Sequence, residues 1–512
     1  MLYFCFGEIF LGINILLLLI FGLVTNTRTI TIFNTQSTKI IFFSNIIVLV
    51  RFACLIIFIT LSLILYQWYL LYFLDVSNNY NVLNINMKID DFYFAAQQLK
   101  VNSFIFLCKI LILFFSFIYF VIVGLHYKFE RIYQFEFVIL ILICIWAFLI
   151  GLMANNFIII YLVIEIQGIA TSILLASNTK KNASVESGLK YYVFNAVGSG
   201  FFVMGISFIY LAFGSLNYNI IYSLLLVNNC TSISIIGFCF IFSGFLFKLG
   251  VVPFHLWLVD VYEGGPTLVI AFLTIITKLG VCFIFFLIIY DIFPYTNYYF
   301  QLCMSLLTWI GIITVIIGLV GAIFQTKLRS LFAYSSIVMM GNYLLLISFF
   351  EIDINHLKYL VLLYLFVYSI TMSLIFNILL NLRYWTGDMK SLYFFYQISG
   401  LSKFYFPLSV IFAIALFSLM GLPPFLGFFI KFYVLTGFIK LEIYLLCCFY
   451  LLCGVVSVFY YLRLIKLIFF DKFNTSLFLT PIKFSNYLFS YILIFFLLLI
   501  IIKFQIIFLI QI

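Results

Sequence analysis

Charged residues are scarce in this chain: 26 Lys and Arg residues and 16 Asp and Glu residues together make up 8% of its 512 residues. Hydrophobic residues make up 67%, and the mean hydropathy is +1.29. Soluble globular domains contain about 25% charged residues, so this composition excludes that class. The sequence predicts an all-α polytopic membrane protein. Its expected partners are membrane lipids and other membrane proteins, and no nucleic acid.

Signals for cofactors are also lacking. The 11 Cys residues form no CxxC or CxxC-H pattern, which favours buried apolar thiols over an iron–sulfur cluster, a haem or a zinc site. We find neither a glycine-rich nucleotide fingerprint after a strand nor a metal-ligand cluster. No cofactor is therefore expected in this chain, and any redox chemistry must belong to other proteins.

The N-terminus has no basic residue before Arg28 and carries an acid at Glu8. This pattern fits neither a secretory signal nor an Arg-rich transit peptide. Phe, Tyr, Ile and Asn are abundant, and their codons are rich in A and T. This suggests the hypothesis that the chain is encoded by an A/T-rich organellar genome. We expect the protein to be made in the compartment whose membrane it occupies.

Fourteen apolar stretches are long enough to span a hydrocarbon core of about 30 Å as helices. When the segments are numbered in order, the loops that join an odd segment to the next even one hold sixteen of the 26 Lys and Arg residues. Positively charged loops favour the cytoplasmic or matrix side, so both termini are expected on the opposite side of the membrane. The second stretch is either one tilted helix or a helix with an interfacial piece. The segments are 8–24, 40–73, 103–125, 133–153, 156–176, 189–213, 233–258, 266–290, 301–324, 331–350, 358–382, 404–439, 441–468 and 484–511.

Two of these segments contain helix breakers at membrane depth. Segment 7 is interrupted at Gly250 and Pro253, and segment 12 at Gly421, Pro423 and Pro424. Unwound backbone persists there only where protein or water satisfies it. Two broken helices five segments apart predict two inverted five-helix repeats, helices 4–8 and 9–13. The expected divisions are 1–125 (helices 1–3), 126–290 (helices 4–8), 291–470 (helices 9–13) and 471–512 (helix 14).

Four charged side chains lie near the middle of predicted spans: Glu165, Lys248, Lys278 and Lys431. An ionised group at membrane depth costs roughly 2.5–3.5 kcal/mol on insertion scales, so such groups face the bundle interior and mark ion or proton pathways. Snorkelling to the membrane surface is the alternative for the three lysines. We expect Glu165 to pair with Lys248, because a buried carboxylate without a cation would protonate. A structural carboxyl group is the alternative.

Other polar residues allow two interpretations each. His255 follows the break in segment 7 and either relays protons or caps freed carbonyl groups. Asp260 and Glu263 form an acidic turn, which is either a proton entrance or a hydrogen-bonded loop. Glu8 lies close to the N-terminus, which favours a carboxylate that reaches the membrane surface at the end of its helix. The sequence does not distinguish a functional from a structural role for Lys109.

Four strings occur in order over roughly residues 100–470: SVESGLKYY (184–192), FKLGVVPFHLWLVDVYEGGPT (247–267), QTKLRSLFAYSSIVMMG (325–341) and GLPPFLGFFIKFY (421–433). Together they resemble the antiporter-like, proton-pumping membrane subunits of NADH:quinone oxidoreductase, respiratory complex I. The resemblance implies that Glu165, Lys248, Lys278 and Lys431 match the lysines and glutamate of the family's proton pathway. Met339 departs from it, because many relatives have His there, and so does Ile430, where they have a small residue.

The resemblance also implies a function and a location. The chain would move protons across the mitochondrial inner membrane beside other membrane-arm subunits, with both termini on the intermembrane-space side. NADH, FMN, iron–sulfur clusters and ubiquinone would be bound by other subunits, so the chain would be part of an enzyme without a redox centre of its own. The alternatives are a cation/proton antiporter of the same fold, a plastid homologue and a polytopic assembly or lipid-contact protein.

The charge distribution makes a direct prediction about topology. Single cysteines placed in loops 177–188, 325–331 and 383–403 of a Cys-less variant should react with an impermeant thiol reagent from one side of the membrane only, the matrix or cytoplasmic side. Labelling of intact and inverted vesicles measures this. Reaction of any of the three loops from the opposite side would overturn the orientation.

Overall fold

The computed structural model describes the chain in ten stretches separated by short gaps. They are residues 5–30, 38–79, 92–94, 97–130, 134–227, 231–293, 298–348, 354–386, 388–471 and 488–494. The predicted segment 14 therefore lies mostly outside the described residues.

Residues 488–494 are helical, and the described part of the chain contains seventeen further α-helices, numbered here in chain order. They are α1 (Phe6–Ile30), α2 (Thr38–Asn79), α3 (Ser103–Glu130), α4 (Glu136–Met153), α5 (Phe157–Leu175), α6 (Asn182–Phe213), α7 (Tyr218–Leu226), α8 (Ser232–Leu249), α9 (Leu256–Gly264), α10 (Thr267–Phe272), α11 (Lys278–Ile292), α12 (Tyr298–Ile323), α13 (Leu328–Ile347), α14 (Ile354–Asn381), α15 (Phe406–Met420), α16 (Leu426–Lys440) and α17 (Tyr444–Phe469).

The prediction of an all-α membrane protein is confirmed. Twelve spans among the described residues are long and apolar enough to cross a membrane, and α15 is a shorter apolar helix. Segment 2 is a single helix of 42 residues, so the alternative with a separate interfacial piece is wrong. The total of fourteen crossings and the inverted repeats stay predictions.

Two short antiparallel hairpins and the helix α7 were not expected from the sequence. Strands β1 (Phe92–Phe94) and β2 (Leu99–Val101) form the first hairpin. Strands β3 (Arg383–Thr386) and β4 (Asp388–Ser391) form the second. These elements connect helices, and their residues are too few to give a periodic signal.

Both predicted helix breaks are present. Segment 7 divides into α8 and α9, and segment 12 into α15 and α16. The last turn before each break ends at a glycine with positive φ, +70° at Gly250 and +75° at Gly421, a conformation that L side chains rarely adopt. Prolines follow in both breaks, Pro253 in the first and Pro423 and Pro424 in the second, and they prevent the helix from resuming at once.

A third interruption lies in segment 8. A π-helix at Leu273–Thr277 joins α10 to α11, so the extra residue per turn falls immediately before Lys278. Single π-helical turns inside α-helices often occur at functional sites. The stretch LTIIT contains neither Gly nor Pro, so no breaker in the sequence signals this interruption.

The chain forms two compact units. The first comprises residues 1–249 and 276–300, and the second comprises residues 250–275 and 301–512. In the first unit α6 packs closely on α8, because Gly205 and Gly237 let the two backbones meet. A Cβ atom at Gly205 would lie 2.8 Å from the backbone oxygen of Gly237. Small residues at such crossings are a common way to bring membrane helices together.

Two buried ion pairs stabilise the first unit. Lys109 on α3 donates to Oε1 of Glu8 on α1 at 2.5 Å, and their side chains are 0% and 5% exposed. Trp146 on α4 donates to the backbone oxygen of Glu8 at 3.0 Å. Lys100 on β2 pairs with Asp291 near the end of α11. The expectation that Glu8 reaches the membrane surface is therefore wrong, and Lys109 has a structural partner.

The Glu8–Lys109 pair predicts a specific pattern of stability. Glu8→Gln or Lys109→Met alone leaves an uncompensated polar or charged group, so each should destabilise the protein by about 3–5 kcal/mol. The double variant should recover most of this loss, because both charges are gone. Thermal unfolding of the purified protein in detergent measures it, with the exposed Glu136→Gln as a control. Single variants as stable as the control would contradict the prediction.

Candidate functional site

Lys248 is the next-to-last residue of α8, and its ammonium group reaches two neighbouring helices. It donates to the backbone oxygen of Ile164 at 3.1 Å and to Oε1 of Gln167 at 3.4 Å, both on α5. It also donates to Oδ1 of Asn195 on α6. Three donors thus meet three neutral acceptors. The positive charge is solvated by dipoles, and no carboxylate of the described residues pairs with it directly.

The expected ion pair between Glu165 and Lys248 is wrong. Among the described residues, these two side chains form no contact within the 4.0 Å of a salt bridge. Ile164 and Gln167 share the face of α5 that meets Lys248, whereas Glu165 points about 100° away from Ile164. Glu165 interacts instead with Tyr161, one turn earlier. It remains near enough to Lys248 for an electrostatic interaction.

Glu165 lies on the outward stripe of α5. Its neighbours at helical spacing on this stripe are exposed apolar residues, with exposed fractions of 47% for Ile158, 53% for Leu162, 48% for Ile169 and 51% for Ile173. The carboxylate is partly buried among them. A charged group on such a stripe costs free energy in contact with lipid. Contact of the Glu165 carboxylate with polar groups outside the first unit would lower this cost.

Lys278 is the first residue of α11 and lies directly after the π-helix. Its side chain is 5% exposed, so the snorkelling alternative does not apply to it. The span Thr267–Ile292 is buried throughout its most apolar window. Lys278 is therefore less exposed than Lys248 and Lys431, which are only partly buried.

Lys431 belongs to the second unit and lies on α16, beside the break. Its ammonium group donates to the backbone oxygen of Met420, the last residue of α15, at 2.5 Å. The last carbonyl groups of a helix lack intrahelical partners, so this oxygen is available to a cation. The end of a helix thus holds the charge of Lys431, whereas Lys248 uses one backbone oxygen and two side chains of other helices.

Polar side chains from several helices surround Lys431. A cavity of about 30 Å³ lies between Lys431, Met339, Asn342, Tyr364 and Ser418, with further lining from α14 and α17. Tyr364 donates its hydroxyl to the backbone oxygen of Met339 at 2.5 Å. A cavity of about 10–15 Å³ already accommodates a water molecule when polar groups line it. This cavity therefore has room for water beside the lysine.

His255 precedes α9 and supports the capping interpretation. It is partly buried and interacts with the backbone of Pro253, inside the break. Its Nδ1 atom makes no hydrogen bond within the described part of the chain. A relay role for His255 stays a prediction.

Asp260 and Glu263 lie on α9 and not in a loop, and the hydrogen bonds of Glu263 favour the bonded interpretation over a proton entrance. Lys327 donates to Oε2 of Glu263 at 2.6 Å, and Tyr393 contacts the same oxygen at 3.4 Å. Arg329 donates to the backbone oxygen of Gly265 at 3.1 Å. The carboxylate of Glu263 raises the pKa of Lys327 above its ordinary value, which keeps the lysine charged at neutral pH. These four side chains, termed here the Glu263 clamp, join α9 to the turn before α13.

Sequence reasoning missed the amides that hold Lys248. Gln167 follows Glu165 by two residues inside an apolar span, and Asn195 lies in the middle of α6. Gln167 donates Nε2 to the Tyr191 hydroxyl at 3.1 Å, which extends the cluster along α6. A search for uncharged amides inside apolar spans would have found both residues, because an amide at that depth also requires partners.

A family model covers more than half of the chain. The model described as NADH:quinone oxidoreductase/Mrp antiporter, TM, matches residues 154–457. Subunit N of the NADH-quinone oxidoreductase of Pelagibacter ubique is 36% identical over 354 residues, which are 68% of this chain and 72% of the relative. The chain belongs to the antiporter-like membrane subunits of NADH:quinone oxidoreductase. The resemblance drawn from its motifs is thereby confirmed.

Other relatives place the chain in the subunit 2/N branch of these antiporter-like subunits. Chain 2 of the NADH-ubiquinone oxidoreductase of Marchantia polymorpha is 32% identical over 405 residues, 78% of this chain and 80% of the relative. A chain of Thermus thermophilus respiratory complex I has the same fold, with a TM-score of 0.74, 20% identity and coverage of 97% and 96%. A chain of the Dietzia Mrp complex also has it, with a TM-score of 0.74, 16% identity and coverage of 93% and 81%.

The acceptors of Lys248 predict a stability coupling. Asn195→Leu removes one acceptor and should destabilise this antiporter-like subunit by about 1–3 kcal/mol, because the ammonium is left partly unsatisfied. Lys248→Met combined with Asn195→Leu should cost less than the sum of the single losses, since donor and acceptor disappear together. Thermal unfolding of the purified complex measures both.

Asn14→Leu is the matched control, since this amide donates to the backbone oxygen of Phe10 in its own helix. Strict additivity of the losses at Lys248 and Asn195 would show that their contact does not hold the lysine.

Proposed function

We propose that the chain is a proton-translocating membrane-arm subunit of respiratory complex I, driven by NADH oxidation and ubiquinone reduction in other subunits. The observation that carries the proposal is the placement of Lys248, Lys278 and Lys431 inside apolar helices, where neither Lys248 nor Lys431 pairs directly with a carboxylate of the described residues. A lysine solvated by neutral groups can lose its proton without leaving a carboxylate unpaired. Such lysines suit proton transfer better than structural ion pairs do.

In the first unit, the surroundings of Lys248 control whether this lysine keeps its proton. Loss of the Lys248 proton leaves a neutral amine that still accepts or donates hydrogen bonds within the cluster of Gln167 and Asn195. Glu165 acts on this equilibrium from a distance, because a nearby negative charge favours the charged lysine. A cation brought to the outward stripe of α5 would neutralise Glu165 and so favour release of the proton from Lys248.

The second unit supplies a proton site with access to water. Lys431 can pass its proton to water in the adjoining cavity, while the carbonyl oxygen of Met420 stabilises the charged form. The break between α15 and α16 thus has a chemical role, since an intact helix would not offer this oxygen. Met339 occupies the place where histidine was expected, so hydroxyl groups and water must replace an imidazole here.

Location and partners follow from this proposal. We place the chain in the mitochondrial inner membrane, with both termini on the intermembrane-space side, and with the redox cofactors on other subunits. Relatives from plant mitochondria, such as chain 2 of Arabidopsis thaliana with 34% identity over 356 residues, support this location. The outward stripe of α5 around Glu165 is the surface that favours contact with a neighbouring membrane subunit.

A cation/proton antiporter is the second candidate, because the matching family model covers both complex I and Mrp antiporters. Native gel electrophoresis of solubilised membranes distinguishes the two. Migration of the chain with NADH-oxidising activity supports complex I, and migration in a separate smaller complex supports the antiporter.

Lys431 provides the test of proton translocation. Lys431→Met should reduce proton pumping much more than quinone reduction, because it removes a proton site but no redox group. Assembly should survive, since an apolar side chain costs less than an ammonium in the membrane. Acidification of inverted vesicles, normalised to NADH oxidation, measures the effect against Lys180→Met on an exposed loop. Unchanged pumping in the intact complex would reduce Lys431 to a structural role.

A further inference from the structure

A second cavity leads away from Lys431 along α17. Its lining includes Lys431, Tyr450, Ser457 and Tyr460, so hydroxyl groups recur along one face of this helix. These residues are spaced by seven and three positions, which places them on a common helical face. The polar lining therefore extends from the lysine toward the C-terminal end of α17.

The cavities around Lys431 contain polar atoms that lack partners. Asn342 Oδ1, Ser418 Oγ and the Tyr450 hydroxyl are buried and make no hydrogen bond with the described part of the chain. They come from α13, α15 and α17. Buried polar groups are nearly always satisfied by protein or ordered water. Three such atoms around one lysine indicate that water occupies this space.

Two adjacent tyrosines end this line, because Tyr460 lines the second cavity and Tyr461 follows it. Tyr460 and Tyr461 are 2% and 1% exposed, and their ring centroids lie 4.3 Å apart. The Tyr461 hydroxyl interacts with the hydroxyl groups of Tyr460 and of Ser335 on α13. It makes no direct hydrogen bond of standard geometry within the described part of the chain. Ser335 itself is 1% exposed.

Ser335 lies close to the Glu263 clamp. It is seven residues after Leu328, the first residue of α13, which corresponds to about 10 Å along the helix. The residue before it, Tyr334, interacts electrostatically with Asp260 and Glu263. The line of hydroxyl groups therefore runs from Lys431 to the end of the second unit at which the clamp lies.

We propose that Ser457, Tyr460, Tyr461 and Ser335 form a hydroxyl relay that carries protons between Lys431 and the region of the Glu263 clamp. Ser457 and Ser335 donate to the backbone oxygens of Gly454 and Phe332, so these two hydroxyl groups rotate toward the line before they transfer a proton. Each hydroxyl oxygen then accepts a proton from one side as its own proton passes to the next oxygen or to a bridging water. No hydroxyl group gains or loses net charge, and no oxidant or reductant is needed. The proposal rests on the proton-translocating function of Lys431 and gives that residue an access route within the second unit.

Tyrosine-to-phenylalanine variants test the relay, because each removes one oxygen and keeps the packing. In the assembled complex, reconstituted into vesicles, Tyr460→Phe and Tyr461→Phe should each lower the number of protons pumped per NADH oxidised at least twofold. The double variant should be no worse than either single variant, since one missing link already interrupts a series path. Tyr343→Phe is the control, a fully buried tyrosine on α13 that does not line the Lys431 cavities.

Normal pumping by both single variants would overturn the relay, as would losses that multiply in the double variant. If a tyrosine variant fails to assemble, Ser457→Ala and Ser335→Ala decide in the same way: a twofold loss in either supports the relay, and unchanged pumping in both overturns it. Lys431→Met is measured in parallel. Loss of pumping in Lys431→Met with normal relay variants rejects the relay alone, whereas normal pumping in Lys431→Met rejects the proposed function.

Discussion

The cost of placing a lysine ammonium group at membrane depth is the constraint on which this structure depends. Such a group needs acceptors for three donors, and lipid offers none. Lys248 finds its acceptors on α5 and α6. Lys431 finds one at the end of α15, which exists because Gly421 stops that helix. The packing of α5 and α6 around Lys248 and the break after α15 therefore serve the same purpose, which is to solvate a charge inside the bundle.

The chain handles buried charge in two ways. Lys109 is paired directly with the carboxylate of Glu8, and Lys100 with Asp291, so these charges are neutralised within the first unit. Lys248 and Lys431 are held by neutral oxygen atoms. A direct pair fixes the protonation state of both partners, whereas neutral acceptors leave the lysine free to exchange its proton. This contrast is the basis for the proposed division into structural and proton-carrying lysines.

Much of the fold could be predicted from the sequence, because apolar length and helix breakers are local signals. The breaks at Gly250 and Gly421 were found in this way. The π-helix before Lys278 was not, because LTIIT carries no breaker and its conformation depends on packing. The partners of Lys248 were missed for a related reason. Glu165 seemed the natural counter-charge by composition, but its angular position on α5 directs it outward, and uncharged amides do not stand out in a charge count.

The central claim is that enclosed lysines of this chain carry protons while electrons move elsewhere. The most direct measurement is the number of protons pumped per NADH oxidised in reconstituted complex with Lys278→Met, compared with Lys278→Arg and the unaltered chain. The account predicts a clear fall in this ratio for Lys278→Met, with quinone reduction still measurable, because only a titratable group is lost. An unchanged ratio in a fully assembled complex would contradict the account.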